Sequence, residues 1–247
     1  MSDPYEHIEA VIFDWGGTLS HWVPQDMVPG FWRAAAAAID PERIEDLAAA
    51  LLAAEYEVWD QVRGAQKSGR LEEIFGAAMA KHDLELAEAQ FQLATGKYFE
   101  AWELELRHKP DAMPMLAALK SMGLKTALLS NTHWPRSFHE MLLERDGLAE
   151  FIDERLYTSE LTHVKPHPIA FRSALKALDV RPSRAVFVGD RRYDDVFGAQ
   201  SVGMRTVLVR PGPEDDDYDV TPDAEVSSLS ELVGVLDGWL HPSRRHD

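Results

Sequence analysis

The chain has 247 residues, with 25 Lys plus Arg against 42 Asp plus Glu, a formal charge of −17. So acidic a chain is a poor general binder of nucleic acid or anionic membrane, since both need a positive footprint. It has no cysteine, which excludes a disulfide scaffold, thiolate-bound zinc and cysteine catalysis. The length allows one large domain, or a core carrying a smaller insertion. Residues 1–7 are polar and acidic, unlike a signal peptide, and the longest apolar runs fall far short of the ~20 residues a spanning helix needs. The expectation is a cytoplasmic protein, monomer or homodimer, with a small molecule as partner rather than nucleic acid or membrane.

The first strong element is Ala10-Val11-Ile12-Phe13, an apolar, β-branched run that predicts a buried strand. It ends at Asp14, with Gly16-Gly17-Thr18 just beyond. From about 31 to 107 the texture changes to Ala, Leu, Glu and aromatic residues at helical spacing. Helices are expected over 43–59, 71–79 and 86–102, with a break around Gly64, Lys67 and Gly69. After Pro110 the chain alternates. Helix is expected over 113–122, strand over 124–129, helix over 135–144 and 169–178, strand over 185–188, helix over 194–202, strand over 206–209 and helix over 229–240. Gly123 and Gly203 stand where two of these helices stop. Such alternation predicts an α/β fold with a parallel, Rossmann-like sheet covered on both faces. The helical stretch is then an insertion after the first strand. Residues 211–223 read as an acidic loop and 244–246 as a frayed tail.

In sheets of this kind ligands collect beyond the carboxyl ends of the strands. Asp14 follows the first strand, Ser130 and Asn131 the second, Lys165 a third, and Gly189-Asp190 then Asp194 and Asp195 the fourth. Each type has a chemical use. A carboxylate can attack phosphorus and form an acyl phosphate. Asp14 and Asp190 make a hard oxygen site suited to Mg²⁺. Ser130 and nearby backbone N–H groups can cradle a phosphoryl oxygen, and Lys165 can neutralise developing charge.

Four segments carry a family resemblance: FDWGGTL at 13–19, LLSNT at 128–132, VKPHP at 164–168 and VFVGDRRYDDVFGAQSVGM at 186–204. In order and spacing they resemble the four motifs of the haloacid dehalogenase-like (HAD) hydrolase superfamily, and the helical insertion resembles its C1-type cap. The resemblance implies a core of 1–20 and 109–247 with a cap of 21–108. It implies Asp14 as nucleophile and metal ligand, with the Gly16 backbone carbonyl and Asp190 as further ligands of Mg²⁺. Asp195, or its neighbour Asp194, would stand behind the metal. Gly17, Ser130, Asn131 and Lys165 would bind the phosphate.

One position departs from the pattern. Phosphatases of this family usually have a second Asp two residues after the nucleophile, which protonates the leaving group; this chain has Gly16. Such proton transfer supplies ~10²–10⁴-fold in rate. The favoured reading is a phosphatase of a small phosphorylated metabolite that uses another acid or a good leaving group. The alternatives are a ligand-binding homologue without turnover and a 2-haloacid dehalogenase. The last needs no such acid but usually lacks the full metal-binding carboxylates that Gly189-Asp190 supplies. Substitute acids within reach in sequence are His21, Asp26, His133, His163 and His167. Arg63, Lys67 and Arg70 could read a substrate's second polar end, and Trp15 is expected to pack in the core.

Overall fold

A strand covered on both faces must be apolar on both, and β1 (Ala10–Phe13) is buried at all four positions. Val11 and Phe13 join one apolar cluster, Ala10 and Ile12 the other. The computed structural model of the chain describes residues 7–210 and 218–241.

After β1 the insert supplies four α-helices: α1 (Val28–Ile39), α2 (Ile44–Ala65), α3 (Leu71–Ala80) and α4 (Glu88–Glu105). Then follow α5 (Ala112–Ser121), β2 (Lys125–Ser130), α6 (Arg136–Arg145), β3 (Glu154–Tyr157), α7 (Pro168–Leu178), β4 (Ala185–Gly189), α8 (Gly198–Ser201), β5 (Arg205–Val209), β6 (Ala224–Val226) and α9 (Leu229–Leu240). The strands form one sheet in the order β3-β2-β1-β4-β5-β6, and every neighbouring pair is parallel. Leu116 and Leu119 of α5, Leu142 of α6 and Leu232 of α9 cover one face. Phe171 and Leu175 of α7 and Ala199 of α8 cover the other. The result is the expected α/β, Rossmann-like layering with β1 at the centre.

The first cluster continues from the sheet into the helical insert. Trp32 of α1 holds that insert together. Its ring lies 4.2 Å from Tyr98 of α4 and 5.8 Å from Phe75 of α3, and its N–H donates to Glu55 of α2 at 2.7 Å. An aromatic seam joins α4 to the core: Phe99 stacks on Phe138 at 4.3 Å, and Trp102 meets Trp134 edge-on at 4.8 Å. The two crossings between insert and sheet run side by side. Ser20 bridges His108, the His21 N–H donates to the Arg107 carbonyl at 3.0 Å, and the Lys109 N–H to the Leu19 carbonyl at 2.8 Å.

Several expectations need correction. Helix α2 runs through Gly64 to Ala65, so the break is 66–70. Gly64 meets nothing that a side chain would disturb and the helix simply continues. No strand leads into Lys165; β3 ends at Tyr157 and a turn and loop follow. The segment expected as helix over 194–202 is a wide π-helical turn, Arg192–Phe197, followed by the short α8. Strand β3 is the third strand of the expectation, but it ends at Tyr157 rather than at Lys165; β6 was unexpected. The expected tail and residues 211–217 of the acidic loop lie outside the described residues. Among the described residues no helix is long and apolar enough to cross a membrane.

Candidate active site

The register brings the strand ends level. Phe13 pairs with Leu128 on one side and Val188 on the other, and the Asp14 N–H donates to the Val188 carbonyl at 2.9 Å. Asp14 therefore leaves the sheet beside Gly189, with Ser130 buried at the end of β2 on its other flank. Lys165 reaches in from its loop. Its Nζ lies 2.6 Å from Asp14 Oδ1 and 2.7 Å from Asp195 Oδ1. Asn131 fixes that loop: its side chain accepts from the Lys165 N–H at 2.8 Å and donates to the Lys165 carbonyl at 3.0 Å. Both ends of the Asn131 amide are thus engaged in holding the lysine.

Asp14, Asp190 and Asp195 are all buried, and each offers an oxygen within 4.8 Å of the others'. Asp195 folds back over the end of β4; a Cβ at Gly189 would fall 2.3 Å from its carboxyl carbon, so only glycine fits there. Its second oxygen accepts from the Arg191 N–H at 3.1 Å. Asp190 is held at one oxygen by the indole N–H of Trp22 at 2.8 Å, while its Oδ1 is buried with no hydrogen-bond partner among the described residues. Burial, with the neighbouring Asp14 charge, pushes the Asp190 carboxyl well up; burial does the same to Asp195. Burial works against the Lys165 ammonium, but Asp14 and Asp195 outweigh it and hold its pKa above the usual range. Three hard carboxylate donors, crowded, desolvated and with one oxygen unpaired, fit a small divalent cation.

Trp22 also roofs the glycine turn. A Cβ at Gly17, whose φ is +77°, would fall 2.1 Å from both Asp190 Oδ2 and Trp22 Nε1. At Gly16 the nearest atom would be Trp22 Cη2 at 3.5 Å, an ordinary contact. Gly17 is obligatory; Gly16 is not. The Arg191 guanidinium lies 5.0 Å from the centre of the Trp22 ring. From the second crossing, Lys109 Nζ donates to the Gly17 carbonyl at 2.5 Å, and burial lowers its pKa against the pull of Asp190, Asp111 and Asp14.

The family model for a haloacid dehalogenase-like hydrolase matches residues 8–203. The chain belongs to the haloacid dehalogenase-like hydrolases. It is 34% identical over 135 residues to the glyceraldehyde 3-phosphate phosphatase of Pyrococcus furiosus, an alignment covering 53% of this chain and 55% of that protein. It is 37% identical over 136 residues to (S)-2-haloacid dehalogenase 1 of Pseudomonas sp. strain CBS-3, covering 53% and 57%. The chain thus spans little more than half the length of these curated relatives. The crystal structure of a 2-haloacid dehalogenase from Pseudomonas syringae pv. Tomato matches with a TM-score of 0.68 and 26% identity, over 94% of this chain and 99% of that one.

In this member of the family, Asp14, Lys165, Asp190 and Asp195 converge, with Ser130 and the Gly16-Gly17 turn beside them. Asp194 lies off the cluster, 3.5 Å from Arg191. Of the substitute acids, His21 and Asp26 are exposed. His163 and His167 stack on each other at 3.9 Å, and His167 accepts from the Ile169 N–H at the start of α7. His133 is buried, and burial lowers its pKa to about 3, so at neutral pH it is the uncharged imidazole rather than the imidazolium that a general acid needs. Arg63, Lys67 and Arg70 are exposed. Trp15 packs as expected, buried against His139 and donating to His108 at 2.9 Å. Trp22 and Lys109 were missed. Neither belongs to a motif, and only the folding of the two crossings carries them to the site.

Proposed function

We propose that the chain is a Mg²⁺-dependent phosphatase of a small phosphorylated metabolite, working through an aspartyl-phosphate at Asp14. The observation that carries this reading is the Asp14–Lys165 contact at 2.6 Å within a buried group of three carboxylates. Asp14 attacks phosphorus, the ester P–O bond breaks, and the electron pair leaves on the substrate oxygen. Water then attacks the phosphoaspartate, releasing inorganic phosphate and restoring Asp14. Lys165 offsets the charge of the transferring group, and Ser130 with the backbone N–H groups of the glycine turn cradles its oxygens. Asp14, Asp190 and the Gly16 carbonyl would hold Mg²⁺, which neutralises phosphoryl charge when bound. Asp195 anchors Lys165 and stands behind that site. Residues 21–108 act as a cap on a core of 1–20 and 109–247, excluding water from the reaction.

No carboxylate follows at Gly16 to protonate the departing alkoxide. The reading therefore favours substrates whose leaving group needs little help. Turnover should rise steeply as the leaving group's pKa falls. Gly16→Asp, whose Cβ would make an ordinary contact with the Trp22 ring at 3.5 Å, should speed alkyl phosphates tenfold or more while aryl phosphates change little. Equal wild-type rates on both classes would contradict this.

The second reading is displacement at carbon by the same Asp14, as in the haloacid dehalogenases that the chain resembles; it too needs no acid. One assay separates the two. Phosphate release from a panel of phosphate esters and halide release from 2-chloropropionate are measured with Mg²⁺ and with EDTA, with Asp14→Asn as control. Metal-dependent phosphate release lost in Asp14→Asn is expected. Metal-independent halide release would replace the phosphatase reading. No turnover with retained Mg²⁺ binding would make the chain a ligand-binding homologue.

A further inference from the structure

We propose that Glu55, Trp59 and His133 form a second recognition site, in the seam between insert and sheet, for a hydroxyl carried a few bonds from the phosphate ester. The proposal rests on the phosphatase reading and names its substrate class: hydroxylated phosphate monoesters rather than plain alkyl ones.

The argument starts from where α2 lies. On a helix, Glu55, Trp59, Val62 and Gln66 share one face. At one end of that face Glu55 Oε1 is 3.5 Å from His133 Nε2, in the loop after β2. At the other, just past the helix, the Gln66 side chain donates to the Tyr193 hydroxyl at 3.3 Å, in the turn after β4. The sheet order puts β1 between β2 and β4. The face therefore spans from the loop after β2 to the turn after β4, the two strands that flank β1, and Trp59 lies on the helix between its two anchors. The Leu71 N–H donates to the His133 carbonyl at 3.1 Å, tying the next helix to the same loop.

The polar groups there are unspent. His133 is 6% exposed, and neither ring nitrogen has a hydrogen-bond partner among the described residues. Glu55 is 8% exposed; Trp32 donates to its Oε2, and its Oε1 faces the imidazole. Both nitrogens of His133 are unpaired among the described residues, whereas His139 lacks a partner at Nδ1 alone. His108 is engaged at both nitrogens, by Asp146 at 2.6 Å and Trp15 at 2.9 Å. A neutral imidazole offers one donor and one acceptor, and so does a hydroxyl. Trp59, half-buried with its ring 5.5 Å from that of His133, gives a flat apolar wall for the carbons that carry the hydroxyl. A site built to hydrogen-bond a hydroxyl discriminates strongly against the analogue that lacks it, because its own buried groups are then left unpaired.

The test compares sn-glycerol 3-phosphate with n-propyl phosphate, the same carbon chain without hydroxyls. Binding of each to Asp14→Asn protein with Mg²⁺ is measured by calorimetry. The glycerol ester should bind at least tenfold more tightly. In His133→Phe, and in Glu55→Met, the ratio should fall to within twofold through loss on the glycerol side only. The melting temperature of His133→Phe should hold or rise, since that change removes two buried unpaired nitrogens and keeps the ring. Parity of the two probes in the parent protein, a ratio that survives both substitutions, or an equal loss for both probes would overturn the subsite. Failure of both probes to bind would overturn it too. Asp14-dependent phosphate release by the wild type then tells whether the phosphatase reading falls with it.

Discussion

Two adjacent glycines in the turn after β1 face opposite constraints. Gly17→Ala must force a side chain into a positive φ and against Trp22 and Asp190. The left-handed backbone alone costs roughly 1–2 kcal/mol, so with the clash a fall of about 4–8 °C in melting temperature is expected. Gly16→Ala, by contrast, should leave it within about 2 °C. Trp22 carries a separate prediction. Its N–H fixes one oxygen of Asp190 and leaves the other to a cation. Partners that orient a metal ligand typically contribute 10–100-fold in affinity. Trp22→Phe should therefore weaken Mg²⁺ binding about tenfold in a calorimetric titration, with the fold unchanged by circular dichroism. Unchanged affinity would reduce Trp22 to packing.

At the scale of elements, α6 brings a built-in acid sensitivity. His139 is fully buried, stacked on Tyr157 at 4.5 Å and within 3.0 Å of Thr132 Oγ1. Burial, and then the charges of His133, Arg136 and His108, lowers its pKa to about 3. The unfolded chain binds a proton near pH 6.5 and the folded one does not. Stability is therefore full above about pH 6.5 and is lost as pH falls toward 3, by up to about 1.4 kcal/mol per pH unit. Denaturant unfolding at pH 7 and pH 5 should show a loss that His139→Phe reduces by about 2 kcal/mol. Identical pH dependence in the two proteins would count against it. The Glu55–His133 pair partly cancels within itself. Burial raises Glu55 to about 7, so its contribution is full below about pH 4.5 and is lost as pH rises to 7, opposite in sign to that of His133.

The same scale explains what could be read beforehand. Apolar runs such as 10–13 and 185–188 announce buried central strands, and the polar residues following them converge because the sheet is parallel. The position of strand β3 escaped because an edge strand reading Glu-Arg-Leu-Tyr is half-exposed and has no apolar run; β6 is three residues long. The wide turn at Arg192–Phe197 has a composition that reads equally as α-helix. Asp14, Lys165, Asp190 and Asp195 were legible because each ends or follows a strand or lies in a motif. Trp22, Lys109 and Glu55 were not, because tertiary packing of the insert, rather than any periodicity, brings them to their partners.

For the molecule as a whole, the −17 charge and the buried carboxylate cluster predict a specific response to cations. A ligand at 100 times its dissociation constant stabilises the folded state by about 2.7 kcal/mol, or roughly 5–11 °C for a chain of this size. Saturating Mg²⁺ should raise the melting temperature by that order over EDTA, and Asp190→Asn should abolish the rise. NaCl at matched ionic strength is the control, since any salt screens the self-repulsion of an acidic chain. A rise equal in NaCl, or retained in Asp190→Asn, would show screening alone.

The position of β1 at the centre of the sheet sets an order of events as the chain is made. Val11 pairs with Thr126 on one side and Val186 on the other. At the ~5–20 residues per second of synthesis, the strand bearing Asp14 waits roughly 10–35 s for its second neighbour to be translated. The four helices of the insert emerge during that interval, and their contacts with one another lie within one continuous stretch. Among the described strands the one bearing Asp14 is thus translated first and enclosed late, with both hydrogen-bonding edges of an apolar segment open on the ribosome. Trigger-type chaperones that shield nascent apolar segments should matter more to the yield of this protein than to that of a chain whose strands pair in the order they are made.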